Sequence, residues 1–549
     1  MQILVLINGQ QNGPYSPEEV RQYLSTGQLQ PQMQAWREGM SDWQPLETFA
    51  EFAPPGLKTG RTGGRSRAWL YASLAVAVVA VCAVAGWLLW HGKKSNGPVA
   101  TLATPTQSAA AAAPTPIAGH PDWPKTLAEL NEWYAEPPAG QNAAVIFQQG
   151  FDVMMVQYNA HSGYQNDANL PVLNLKVAVP LPGSPVPAKM KTAIAAFMQQ
   201  NQPAWDLFKQ GSSLTQSRYP VDFTKGILMT PLTNLFPVAQ GTKLAEIFAL
   251  GYADNHRGNE AGESLLVGYA IGRSLESEPC LDSQGTRRSC NSIMMSGLEQ
   301  TVNRVALPPQ TLTQLQEVLG RMADREASGE SMNRAFVGEE LTWLAFFDMS
   351  PEEIKKFLDY FGTDLTPLPN GTFATNHNST NWPLVNCLRK NGLKDVKADR
   401  QFFVATWDQV FAARKEPFPS RLKADEIFRE RAPEAETRQF WISSNTLPFL
   451  QRTTSREASD LARLRLAQTA VALEQFRAAS ANHYPEDLAA LSPKFLASVP
   501  QDPFDGQPLR YTKSGNGYDL HSIGPADATD ATLKGLTFVV SNPPKPASP

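Results

Sequence analysis

The residues of this 549-residue chain best suited to chemistry are seven histidines, four cysteines and a scatter of carboxylates. The histidines are His91, His120, His161, His256, His377, His483 and His521, and no two stand four apart. No single helix can therefore offer the paired imidazoles of a zinc peptidase. A phosphate-cradling Gly-x-x-x-x-Gly-Lys-Ser/Thr loop and a Gly-x-Ser-x-Gly nucleophile elbow are both missing from the sequence. Gly338-Glu339-Glu340 reads as the polar face of a helix. Arg218 and Asp222, within Ser217-Arg218-Tyr219-Pro220-Val221-Asp222-Phe223, can pair across a tight turn that either seats a ligand or locks two helices together. Cys280 and Cys290 flank the polar stretch Leu281 to Ser289. Outside the cytoplasm they are placed for a disulfide contributing about 2–3 kcal/mol, and a metal site is the rival reading, with no His close in sequence. A site assembled from distant residues stays open, but no reaction is legible, and enzyme activity is not the leading expectation.

Composition narrows the class. Lys and Arg number 48 against 52 Asp and Glu, so no strong field recommends nucleic acid as a partner. Four cysteines exclude a disulfide scaffold and any multi-cysteine zinc module. Cys82 reads as a small apolar residue and Cys387 is left over. The length calls for several domains, and the 44 prolines imply linkers between them.

The elements that must position these residues fall in order along the chain. Ala68 to Trp90 is free of charge and, as a helix, extends about 34 Å, enough for a hydrocarbon core of about 30 Å. Trp69, Tyr71, Trp87 and Trp90 lie near its ends, where amphipathic rings prefer the lipid boundary. Lys58, Arg61, Arg65 and Arg67 precede the stretch, against Lys93 and Lys94 after it. The reading is a single-pass inner-membrane protein, N-terminus cytoplasmic, with the remainder periplasmic or otherwise extracytoplasmic. Residues 95–124, rich in Ala, Pro and Thr, form a spacer.

Before that segment, residues 1–55 read as a compact α/β unit. An apolar run from Ile3 to Ile7 meets a polar turn, Ser16 caps a short helix with Pro17 and Glu19 in its first turn, Gly27 ends it, and a second strand covers Met33 to Arg37. Gly13-Pro14-Tyr15, Trp36-Arg37-Glu38-Gly39-Met40 and Trp43-Gln44-Pro45 follow in an order that resembles the bacterial GYF-like domain. That resemblance implies a partner-binding surface of Gly13, Pro14, Tyr15, Trp36 and Trp43 for a protein or proline-rich peptide, whose polyproline helix loses little entropy on docking between rings. The first strand carries Ile3 and Val5 where an aromatic pair is often found.

Residues 125–450 read as a mainly α-helical domain. Apolar residues recur at helical spacing in Ala188–Lys209, Leu232–Asp254, Ala261–Ser277, Thr311–Ala327, Asn333–Phe347 and Pro351–Phe361. No fixed repeat period survives inspection. This region resembles uncharacterised helical envelope proteins of bacteria.

Residues 455–541 read as a separate α+β domain, followed by a tail over 542–549. An amphipathic helix from Arg456 to Ala481 leads into His483-Tyr484-Pro485, a short helix to Leu491, Pro500-Gln501-Asp502-Pro503, Arg510-Tyr511, a strand at Tyr518, Ser522-Ile523-Gly524-Pro525 and a last strand from Leu536 to Val540. The order resembles the globular head of a type II secretion pseudopilin, major-subunit type. The resemblance implies calcium near Asp527 and Asp530, oxygen donors on a loop being suited to that ion; a plain solvated loop is the other reading. No other cofactor is expected.

The functional expectation is a membrane-anchored interaction or scaffold protein of the bacterial cell envelope, associated with a secretion- or pilus-like system, with membrane lipid and an envelope protein as further partners. A transmembrane sensor with a ligand in the helical region, or an envelope hydrolase, are the alternatives.

Overall fold

A computed structural model describes residues 3–7, 10–16, 20, 34–37, 44–46 and 49 near the N-terminus, and 123–544 apart from 165–166, 172–176, 361–364, 368–372, 376–394, 526–535 and 542. The chain divides into two compact units, Met1–Val79 and Ala80–Pro549.

The first unit is built on an antiparallel sheet of β1 (Ile3–Ile7), β2 (Gln10–Tyr15), β3 (Gln34–Arg37) and β4 (Gln44–Pro45), in the order β2-β1-β3-β4. Register pairs Ile3 with Tyr15 on one side and with Arg37 on the other, and sets Leu4 opposite Trp36 and Val5 opposite Ala35. Ile3, Val20, Ala35, Leu46 and Phe49 are buried and form its core.

The second unit is mostly helical. Its first helices, α1 (Leu127–Trp133) and α2 (Ala143–Ala160), are capped by Thr126, which accepts from Glu129 N at 3.2 Å, and by Asn142, which accepts from Ala144 N at 3.1 Å. The sequence pattern Ala188–Lys209 resolves into two helices, α3 (Ala188–Gln200) and α4 (Gln202–Ser212), broken at Asn201 because Pro203 has no N–H and is tolerated only in a first turn. Helices α2 and α4 cross closely: a Cβ on Gly150 would meet the Phe208 ring at 2.5 Å, and one on Gly211 would meet the Phe147 ring at 2.7 Å. The centre is formed by α5 (Leu235–Asp254), α6 (Gly258–Arg273), α7 (Leu281–Val302), α8 (Pro309–Ser328) and α9 (Glu330–Phe347). Then come α10 (Pro351–Tyr360), a β5 (Leu365–Pro367) and β6 (Phe373–Thr375) ribbon, α11 (Val396–Arg414), α12 (Lys423–Thr437) and α13 (Trp441–Leu450).

The long helix α14 (Thr453–Ala479) packs against α7 and α8. It is buried on all sides, charged residues included: Glu457 and Asp460 are fully buried and Arg463, Glu474 and Arg477 nearly so. Residues after 455 thus belong to the same compact unit as the helical body, and the stripe Ala462, Leu466, Thr469, Leu473 and Phe476 is only one of the faces α14 uses. A small antiparallel sheet, β7 (Arg510–Ser514), β8 (Gly517–His521) and β9 (Thr537–Val540), completes the unit. The outer edge of β9 is satisfied by side chains of α7 and its C-cap. Val539 N donates to Glu299 at 2.6 Å, Asn303 donates to Val539 O at 2.9 Å, and Ser541 N donates to Asn303 at 3.0 Å. An edge that would otherwise template another strand is thereby closed.

Three expectations require correction. Among the described residues no helix is long and apolar enough to cross a membrane. Residues 68–90, on which the expected transmembrane helix fell, lie outside the described residues. The longest described helices, α7 and α14, carry Asp282, Arg287, Arg288 and Glu299, and Glu457, Asp460 and Arg463, respectively, which bar them from hydrocarbon. The fold is mostly helical with small sheets, in place of the anchored multidomain class expected, and the single-pass inner-membrane localisation is withdrawn on the same finding. The Cys280–Cys290 disulfide is also corrected. Both are free, buried thiols, and the intervening residues form the first turns of α7. Ten steps along the helix separate their backbones by about 15 Å, far beyond the reach of a disulfide.

Candidate binding surfaces and the buried polar core

Backbone pleat decides what the aromatic residues of the first unit can do. Ala35 is buried, so the alternation along β3 sends Trp36 to the opposite face of the sheet. Trp36 is half-buried there, outside the set of side chains that form the core. Arg37 returns to the core side, its guanidinium 5.1 Å from the centre of the Phe49 ring. Gly13, Pro14 and Tyr15 end β2, with Tyr15 in register with Ile3. Val20 N donates to Ser16 O at 3.1 Å, while residues 17–19 and 21–33, with the rest of the expected helix, lie outside the described residues. Trp43 lies outside the described residues, as do Asp527 and Asp530, the expected calcium neighbourhood, and Cys82 and Cys387.

In the second unit, most residues singled out for chemistry are consumed by internal bonding. Arg218 pairs with Glu136 and lies 4.8 Å over the Tyr134 ring, while Asp222 accepts from Thr224 N at 2.9 Å. Next to it Tyr219 N donates to the Tyr134 hydroxyl at 2.9 Å, and that hydroxyl donates to Glu278 at 3.2 Å. The interruption at 217–223 therefore locks α1 to the segment before α7. Asp502 performs the same service at the C-terminal end. Its carboxylate accepts from Phe504 N at 3.1 Å, Ser522 Oγ at 2.9 Å, Ile523 N at 2.8 Å and Arg510 at 3.0 Å. The spacing Pro-x-Asp-Pro, Arg-Tyr, Ser-x-Gly-Pro is thus a hydrogen-bonded knot around one buried carboxylate.

A larger polar system, unread in the sequence, runs through the core around α14. Arg287 meets Glu326 at 2.5 Å and Asp460 at 3.9 Å, and Asn291 donates to Asp460 at 2.9 Å. One turn earlier, Glu457 accepts from Arg414 at 2.8 Å and from Arg421 at 3.1 Å. Two carboxylates cap helices to which they do not belong: Asp425 accepts from Thr454 N at 2.8 Å and Ser455 N at 2.7 Å, and Asp399 from Ile442 N at 2.7 Å. Burial pushes several acids up. Glu246, Glu278 and Glu299 rise to about 7, Glu339 to about 7 and Asp460 to about 7, desolvation being the leading cause in each. Glu340 rises to about 8, through desolvation first and then repulsion from Asp408.

Two cavities accompany this core. A small one of about 10 Å³ lies among Met154, Tyr158, Tyr164, Phe197, Asn201, Gln240 and Leu244. The buried Tyr164 hydroxyl and Gln240 carbonyl oxygen there have no partner, which fits one ordered water. An open cleft of about 280 Å³ is lined by Trp123, Trp133, Ser328, Glu330, Asn333 and Arg334.

Among known proteins, residues 4–52 match the family model described as GYF domain 2. The N-terminal unit is thus a GYF-like domain over that span. No curated protein and no solved structure matches the chain.

Proposed function

We propose that the chain is an interaction protein whose GYF-like domain docks a proline-rich segment of a partner. The observation that carries this reading is the family match over residues 4–52, together with the placement of Trp36 on the sheet face turned away from the core. An aromatic ring on such a face offers a platform to a preformed polyproline helix. Gly13, Pro14 and Tyr15 at the end of β2, and Trp43, are the further members of the proposed surface.

The order of a long helix, a one-turn helix at Leu488–Leu491 and a three-stranded antiparallel sheet supports a pseudopilin-like reading of residues 455–541.

The test is a titration of the full-length protein with a labelled proline-rich peptide library, read by fluorescence anisotropy. Saturable binding that weakens at least tenfold in Trp36→Ala, with an unchanged circular dichroism spectrum, is the expected result. Binding indifferent to that substitution, or none to any peptide, refutes the proposal.

A further inference from the structure

The open cleft beside α1 has no part in the peptide-docking reading, and its chemistry is of another kind. Trp133 on α1 and Trp123 ahead of it are half-buried. Trp123 is fixed edge-on against Phe411 of α11, at 5.2 Å between ring centres. Arg334 of α9 lies 4.3 Å over the Trp133 ring and reaches Glu330 at 3.4 Å. Glu330 also receives Arg325 at 3.2 Å. Asn333 is oriented by Arg414, which donates to its side-chain oxygen at 2.8 Å and leaves the amide N–H groups for another acceptor. Ser328 completes the rim at the end of α8.

Three features of this cleft select a ligand. The lining carries one cation and one anion, so it offers no net attraction to a charged molecule. Its polar groups are donors and acceptors in near balance, with Asn333 offering amide N–H groups and Glu330 a half-exposed carboxylate. Side chains that both donate and accept are gathered against indole rings, and a volume of about 280 Å³ holds only a small molecule. A neutral polyhydroxylated ring meets all three conditions. Its axial C–H face packs on an indole, and its adjacent hydroxyls accept from a guanidinium or amide while donating to a carboxylate. A proline-rich strand would offer the indoles its rings but has only carbonyl acceptors, leaving Glu330 unmatched.

We infer that the cleft formed by Trp123, Trp133, Ser328, Glu330, Asn333 and Arg334 binds a neutral saccharide, with Trp123 and Trp133 as its apolar wall and Glu330, Asn333 and Arg334 as the hydroxyl-recognising groups. The geometry is that of recognition, with no reaction implied.

The experiment titrates the full-length protein with glucose, galactose, N-acetylglucosamine, maltose and N,N′-diacetylchitobiose, read by isothermal calorimetry and by tryptophan fluorescence. At least one sugar should bind saturably. Glu330→Gln should weaken it about tenfold, as loss of a charge-assisted hydrogen bond does, with an unchanged thermal melt because Glu330 is exposed. Trp133→Ala should abolish binding, and Trp36→Ala should leave it intact, separating this site from the peptide surface. Failure of all five sugars to bind overturns the inference, as does binding that survives both cleft substitutions. A proline-rich peptide whose binding is lost in Trp133→Ala and kept in Trp36→Ala also overturns it, and assigns the cleft to a peptide.

Discussion

Glu340 is a carboxylate whose removal should stabilise the protein. It sits on α9, 2% exposed, and its Oε2 has no hydrogen-bond partner. Burial, followed by repulsion from Asp408 on α11, raises its pKa from 4.5 to about 8. A carboxyl raised in the folded state is held neutral there while the unfolded chain ionises. Its stabilising balance is therefore fully present below the unfolded value and declines as pH rises toward the folded one. The whole shift corresponds to about 5 kcal/mol, of which about 3 kcal/mol falls between about pH 6 and about pH 8.5. Local relaxation and water entry reduce such penalties, so about 1–3 kcal/mol should be observable.

Glu340→Gln keeps the shape of the protonated acid without the charge. Urea unfolding of the full-length protein, followed by tryptophan fluorescence, should show the variant's advantage over wild type growing by about 1–3 kcal/mol between about pH 6 and about pH 8.5. Glu246, Glu278, Glu299 and Asp460 shift in the same direction, so wild type itself should lose stability over that interval. A wild type that gains stability as pH rises, or a variant destabilised equally at both pH values, would refute the reasoning.

Asp502→Ala leaves four donors of the C-terminal knot without their acceptor, among them Arg510. A loss of about 3–5 kcal/mol is expected, checked by urea unfolding and by faster hydrogen exchange in β7 and β8. Cys280 and Cys290, as buried thiols with pKa values raised by desolvation, should be inert to a thiol reagent in the native protein and react in urea; reductant should leave the melting temperature unchanged.

What was legible in the sequence was local. Thr311–Ala327 appears as Pro309–Ser328 and Pro351–Phe361 as Pro351–Tyr360, because apolar periodicity and first-turn prolines are carried by neighbouring residues. In the first unit, β3 covers Gln34–Arg37 where a strand from Met33 was expected. The failure at residues 281–289 has a definite cause. Asp282, Ser283, Gln284, Arg287 and Arg288 look like a solvated loop, yet they form α7, with Ser283, Gln284 and Arg287 buried and paired to Glu278 or Glu326. Hydropathy counts a polar residue as exposed, and only the fold shows that a partner awaits it 39 positions away. Residues after 455 read as a separate domain from the order of their elements, and that order carries no sign of the buried charges that tie α14 to α7 and α11. The cleft was invisible for a related reason: Trp123, Trp133 and Arg334 are about two hundred positions apart at most and carry no common pattern.

The concentration of shifted acids invites an enzymatic reading, because active sites gather perturbed pKa values. The geometry argues otherwise for these residues. A neutral carboxyl acts as a proton donor only where a substrate can reach it. Glu246 is 4% exposed, Glu340 2%, and Glu278 and Asp460 are fully buried. None of them lines either cavity. Reaching them would require α7, α9 and α14 to part, at the expense of ion pairs such as Arg287–Glu326 and Arg414–Glu457, each costing several kcal/mol if one partner is stranded. Their shifts are therefore the consequence of burying charge to fix helix register. Trp36 and the cleft at Trp133 differ in kind, since both are partly exposed, and they are the two places proposed above for a ligand.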